Sequence, residues 1–382
     1  MMLIEKKTAM STGRRPPRWA ALSGTLALAW GCGSVTELES DAASNGQPED
    51  AAAETTADTG ADTDSGGLGD PDAGQVPSTG ILLFGGTGDG FGGFGDTWIW
   101  DGEGWSEADV SGPPGRFNAE AAYDAARERV VLFGGDDDGG SGFFGDTWEW
   151  DGEAWTDVTP ADGNPPPRVA HALAYDAARE RIVLFGGFGP DFDKLDDLWE
   201  WDGATWEQLP SDGPQPRDGH AMTYDAARER VVLVGGAGDD AADFEVLQET
   251  WEWDGESWEL VAEAGPEVAG HAVAYDPTRE RVVVFGGRSN DDSQLAATWE
   301  WDGESWADVT PALSPDARTL HGLAYDEIGE RIVVFGGSHS EIGNFRDTLA
   351  WTGAAWDDLA PPLPRPSNRR SHAFTEAPLP AP

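Results

Sequence analysis

The chain has one cysteine, Cys32, in 382 residues. A lone thiol excludes an internal disulfide framework and any cysteine-based metal cluster. Positive charge is also scarce: 24 Lys and Arg stand against 71 Asp and Glu, a net charge of −47. Phosphate backbones are gripped by clustered Lys and Arg, so nucleic acid is excluded as a partner. The repeats beyond residue 80 lack the three-and-four spacing of an amphipathic helix. Catalytic signatures are missing too, with no Gly-x-Ser-x-Gly elbow, no phosphate-binding loop and no base set beside a nucleophile. No cofactor is expected.

What is present begins with an export-like leader over residues 1–31. Lys6, Lys7, Arg14, Arg15 and Arg18 make a basic region, and Trp19 to Trp30 is an uncharged apolar run, shorter than the roughly 20 residues that span a bilayer. Cys32 follows in Ala29-Trp30-Gly31-Cys32-Gly33-Ser34, which resembles a bacterial lipoprotein processing site and implies lipidation of Cys32. Residues 32–80 change character: from residue 35 they are rich in Asp, Glu, Ala, Thr and Gly and contain no Lys, Arg or His. Such a segment buries too little apolar surface to offset chain entropy and is read as a disordered tether. Asp58, Asp62 and Asp64 lack the spacing of a calcium loop.

From residue 81 a unit of close to fifty residues recurs. A double glycine stands at Gly85-Gly86, Gly134-Gly135, Gly186-Gly187, Gly235-Gly236, Gly286-Gly287 and Gly336-Gly337. Each is followed by a Trp-x-Trp pair such as Trp199/Trp201 (Leu349/Trp351 in the last copy), then an Asp-Gly or related turn and a closing tryptophan such as Trp206. Ile182 to Phe185 is apolar throughout, as a strand covered on both faces is; Trp199-Glu200-Trp201 alternates; Asp202-Gly203 is the signal of a two-residue hairpin. These features resemble the kelch repeat. The resemblance implies an all-β, six-bladed kelch-type β-propeller over residues 81–376, with a tail at 377–382. The first copy lacks an inner strand, and Arg369 to Phe374 copies Arg168 to Leu173, so the carboxy-terminal strand is expected to complete the first blade and remove exposed sheet edges.

Five histidines, His171, His220, His271, His321 and His372, share one repeat position. Strand alternation puts His171 with Leu173 and Tyr175, opposite Ala170, Ala172 and Ala174. This predicts satisfied histidines packed between blades, and no metal site. Arg116, Arg168, Arg217, Arg318 and Arg369 share another position, at the mouth of the inner strand, with Val268 in the remaining copy. Two readings fit: a ring of guanidinium forks for an anionic ligand, or pairing of each arginine with a nearby loop acid or backbone carbonyl. The variable loops after the double glycines add Phe143, Phe144, Phe188, Phe192, Lys194, Phe244, Arg288, His339 and Arg346 as candidate contacts. Asp136-Asp137-Asp138 has no diagnostic ligand spacing for calcium. Glu120 breaks the alanine pattern of its strand and is the one candidate acid/base group.

These readings converge on a monomeric, exported binding module that recognises a protein or carbohydrate, anionic in one version, at the bacterial cell envelope. The lipid at Cys32 is its only membrane attachment. The alternative, implied by resemblance to kelch enzymes, is a sugar-active enzyme of the sialic-acid mutarotase type working through the arginine-lined mouth and Glu120.

Overall fold

The computed structural model describes residues 79–379 apart from 91, 138–141, 192 and 239–244. Cys32, the leader, the acidic segment, Asp138, Phe192 and Phe244 lie outside the described residues.

In blade 3 the inner strand A (Ala172–Asp176) pairs with B (Arg181–Phe188), B with C (Lys194–Trp201), and C with the outer strand D (Trp206–Leu209), all antiparallel. Ile182, Val183, Leu184 and Phe185 are fully buried because adjacent blades cover both faces of strand B. The C–D turn differs from the predicted two-residue hairpin. Trp201 faces Trp206, so four residues make the turn. Only Gly203 adopts a positive φ, 95°, while the Asp202 carboxylate accepts from the amides of Ala204 and Thr205 at 2.8 and 2.7 Å. The aspartate thus acts by capping amides, not by entering the left-handed region itself.

Six such four-stranded sheets form. Blade 1 is built from both ends of the repeat region: Ala373–Pro378 supplies strand A to Thr79–Phe84, Thr97–Trp100 and Trp105–Ala108. The closing register runs from Thr79 opposite Pro378 to Phe84 opposite Ala373. Pairing extends two residues beyond 81–376 at each end and includes Gly80, which the sequence assigns to linker. Blades 2 to 6 occupy 120–157, 172–209, 221–262, 272–308 and 322–358. Their inner strands touch in a closed cycle, blade 6 returning to blade 1.

The faces are complementary, as alternation predicts. Leu173, Trp199 and Trp206 of blade 3 pack on Ala122, Val131 and Phe133 of blade 2. Trp206 lies 5.4 Å from the Phe133 ring and donates to Thr147 Oγ1 at 2.9 Å. Burying about 200 Å² of indole contributes roughly 5 kcal/mol before entropy. The double glycine makes the close approach possible: a Cβ on Gly186 would lie 2.9 Å from the Arg217 carbonyl and from His220 Cε1 of blade 4, and one on Gly187 2.8 Å from His171 Cβ. Both have positive φ, 63° and 97°.

Candidate functional site

The arginines predicted at the channel mouth are 0–1% exposed. Arg168 donates through Nη1 and Nη2 to the two oxygens of Asp197 at 2.6 and 2.7 Å, through Nη1 also to the Gly186 carbonyl, and through Nε to the Pro166 carbonyl. Arg116 with Asp146, Arg318 with Asp347 and Arg369 with Asp96 repeat the two-pronged pairing; Arg217 reaches Glu249 at 2.8 Å. Burial alone would raise the carboxyls of Asp96, Asp146 and Asp197, but the hydrogen bonds and charge of their arginines outweigh it and hold them below the usual range. Phe144 and Phe345 cover the Arg116 and Arg318 guanidiniums at 3.9 and 4.2 Å from the ring centres. The ring of free forks for an anionic ligand is therefore corrected to a ring of structural ion pairs. The sequence carried the signal: blade 5, which has Val268 for the arginine, has Ala297 for the acid.

A second ring closes this end of the channel. The amide of Asn118 donates to Ser371, Ser371 to Leu320, Leu320 to Gly270, Gly270 to Gly219, Gly219 to Ala170 and Ala170 back to Asn118, at 2.8–3.3 Å. All six residues adopt φ between 52° and 63°, which aims each amide at the preceding blade. The result is a collar of backbone hydrogen bonds around the axis.

One residue further along each strand, the imidazoles enter the seams between blades. His171, His220, His321 and His372 meet Phe133, Phe185, Phe285 and Phe335 edge-on at 5.4–5.6 Å. Blade 2 has Ala119 at this position. Packing between blades is as read from the strand pattern; His171, His220 and His321 have weak hydrogen bonds to the backbone of Phe133, Phe185 and Phe285, and among the described residues neither ring nitrogen of any of the five has one of ideal geometry. Burial pushes His171, His271 and His372 down to about 3, keeping them neutral. Among the described residues no three His, Cys, Asp or Glu side chains converge as a metal site would require.

Below the collar the inner strands enclose a channel of about 370 Å³. Alanine is the commonest residue in its wall, from Ala121 and Ala122 round to Ala324, with Leu173, Met222, Val273 and Leu323 between and Tyr123, Tyr175, Tyr224, Tyr275 and Tyr325 toward the A–B turns. Four tyrosine hydroxyls bond the A–B turn of the preceding blade, three by accepting from Ala126, Ala178 and Ala227 amides and the fourth with Thr278 Oγ1. Three glutamates break the pattern. Glu120 replaces the Ala or Gly of the other inner strands, Glu376 replaces a tyrosine, and Glu327 stands where other turns carry Ala or Pro. Burial raises Glu120 to about 8; burial, then the charge of Glu327, raises Glu376 to about 7. Glu376 and Glu327 were not singled out from the sequence, although Phe374-Thr375-Glu376 overlies Leu173-Ala174-Tyr175. A second hollow of about 440 Å³ on the outer side, lined by Trp299, Trp306 and Ala262, is open to solvent.

On the loop face several candidates serve the scaffold. Lys194 donates to the Ala237 and Gly238 carbonyls and pairs with Asp218, linking loops of blades 3 and 4; as a ligand contact it is corrected. Phe188 pairs through its backbone with Val169, and Arg288 with Asp292 at 2.7 Å. Asn290, Gln294 and Asn344 make similar links, to Val246, to Ser338 and Ser340, and to Asp89. His339 accepts from the Glu341 amide. Phe143 is half-buried, and Arg346 and Ile342 are exposed, Ile342 at 57%.

Six kelch-like blades, sealed by a strand from the opposite end of the repeat region, define a β-propeller. The chain belongs to the Attractin/LZTR1 beta-propeller family, whose model matches residues 144–341. No curated protein is significantly similar to it.

Proposed function

We propose that the chain is an exported, lipid-anchored binding propeller that recognises a protein or carbohydrate at the cell envelope through its B–C loop face. The observation that carries this reading is the distribution of side chains. The arginines that recur from blade to blade are consumed by internal pairs, whereas Ile342 and Arg346, exposed and without counterparts in the other blades, sit with half-buried Phe143 in the loops after the double glycines. Thr79, the first described residue, lies at the end of strand B opposite the B–C loop, so the chain enters the ring at the face opposite the loops. The arginine-lined mouth that a sugar-active enzyme would use is occupied by ion pairs, and Glu120 has no arginine to work with.

Two experiments test this. Cys32→Ala should move the protein from the membrane to the soluble fraction, and unchanged membrane association would refute the anchor. Full-length protein should retain an envelope protein or glycan that the Ile342→Ser/Arg346→Glu variant loses at least about tenfold; equal retention by both would refute the loop face as the recognition surface.

A further inference from the structure

The collared channel is unlike the rest of the ring in one respect: its charged departures from the repeat are all acidic and all on one side. Glu327, Glu376 and Glu120 belong to consecutive blades 6, 1 and 2. Glu327 accepts from Thr79 Oγ1 at 2.6 Å, but Glu120 and Glu376 have no hydrogen-bond or ion-pair partner among the described residues. Among the described residues no Lys or Arg lines the channel; the other titratable groups facing it are the five tyrosines and the neutral His220, His271, His321 and His372. A half-buried carboxylate facing a narrow channel and left alone is poorly hydrated, and a cation joining it relieves that cost. Alanine is what the fold needs at the Glu120 position, since Ala172, Ala221, Ala272 and Ala373 fill it elsewhere, with Gly322 in blade 6.

The two unpartnered glutamates also have a spacing. Glu120 faces Phe133 at the collar end, whereas Glu376 faces Ile81, three residues further along the equivalent strand. At about 3.3 Å per residue this separates them by roughly 10 Å along the axis. Between them the wall is largely apolar, with alanines, Leu173, Met222, Val273 and Leu323, which suits a methylene chain, and tyrosine faces near the outer pole favour an ammonium group.

We propose that the channel is a binding site for a linear aliphatic diamine, with one ammonium at Glu120 under the collar and the other at Glu376 and Glu327 near the A–B turns. Because both glutamates hold protons into the neutral range, a bound diamine displaces those protons and binding tightens as pH rises from about 6 to 8. This site is on the opposite face from the proposed recognition loops, so either can fail without the other.

Titration calorimetry of the full chain with pentamethylenediamine and with n-pentylamine tests the proposal. It is run at about 0.3 M salt to screen the general field of an acidic protein. The diamine should bind at least about tenfold more tightly than the monoamine, and should release protons to the buffer. Glu120→Ala restores the residue used by other blades and preserves folding; it should bring the diamine down to the monoamine. Equal affinity for the two amines, or a diamine preference unchanged in Glu120→Ala, would overturn it. Glu103→Gln, at an exposed turn, should leave the preference intact, and a matching loss there would mean only the overall charge is sensed.

Discussion

Arg168 and Asp197 show how a single side chain's role is set by what stands beside it. The guanidinium is 0% exposed and the carboxylate 17%, so removing one partner strands the other in a poorly hydrated place. Arg168→Val alone is expected to cost about 3 kcal/mol in urea denaturation. Adding Asp197→Ala, which reproduces the Val268 and Ala297 combination of blade 5, should recover more than half of it; an additive double variant would show that the two residues are not a unit. Thr and Trp make a similar pair. Trp105, Trp155, Trp206, Trp306 and Trp356 each donate to a threonine of the preceding blade. Blade 3 has Leu198 in that place, and Trp258 Nε1 is left without a partner. Leu198→Thr should therefore cost less than about 1 kcal/mol, whereas a buried leucine usually loses 2–5 kcal/mol on truncation. A loss of that larger size would show that the missing bond is immaterial. The arginine ring was legible in the sequence, but its occupation was not, because the partner acid lies about thirty residues on, at the end of a loop of varying length.

At the level of elements, most of the architecture could be read directly: the buried B strands, the tryptophan-bearing C strands, and the displaced inner strand betrayed by its resemblance to residues 168–173. The Asp-Gly turn was placed but mistyped, since side-chain capping of amides leaves no distinct mark in the letters. The collar was invisible for a deeper reason. It is made of backbone groups from Asn, Ala, Gly, Gly, Leu and Ser, whose only common property is a positive φ. The sealing strand carries the clearest consequence. Without Ala373–Pro378, strand Thr79–Phe84 becomes an unpaired edge that is apolar from Ile81 to Phe84. Deleting residues 373–382 should shift the protein into aggregates on size-exclusion chromatography, and a truncated ring that elutes with the same oligomeric state as the full chain would contradict closure by that strand.

For the molecule as a whole, the rings of buried titratable groups give stability a peak in pH. Neutral histidines in the seams resist protonation down to about pH 3 for His171, His271 and His372, and His220 and His321 are likewise lowered well below their usual value by burial. Unfolded imidazoles take up protons below about 6.5, so this contribution is complete above that pH and is lost as pH falls through it. The depressed carboxyls of Asp96, Asp146 and Asp197 act in the same direction at lower pH. Glu120 and Glu376 act oppositely. Their folded values, about 8 and about 7, lie above the 4.5 of a free glutamate, so their contribution is complete below 4.5 and disappears as pH rises through 7 to 8. Glu252, raised by burial, adds to this limb. Five histidines outweigh these glutamates between pH 4.5 and 6.5, which places the maximum near pH 6.5. Melting temperature followed by circular dichroism from pH 4 to 9 should rise, peak there and decline. Glu120→Ala should raise stability at pH 8 by about 1–2 kcal/mol, less than full burial would give because water reaches the carboxyl through the channel. Below about pH 4.5 the variant should follow the parent, whereas between 4.5 and 6.5 its stability should rise more steeply, because Glu120 no longer offsets the histidines there. An unchanged alkaline decline would show that Glu120 is already ionised in the folded ring.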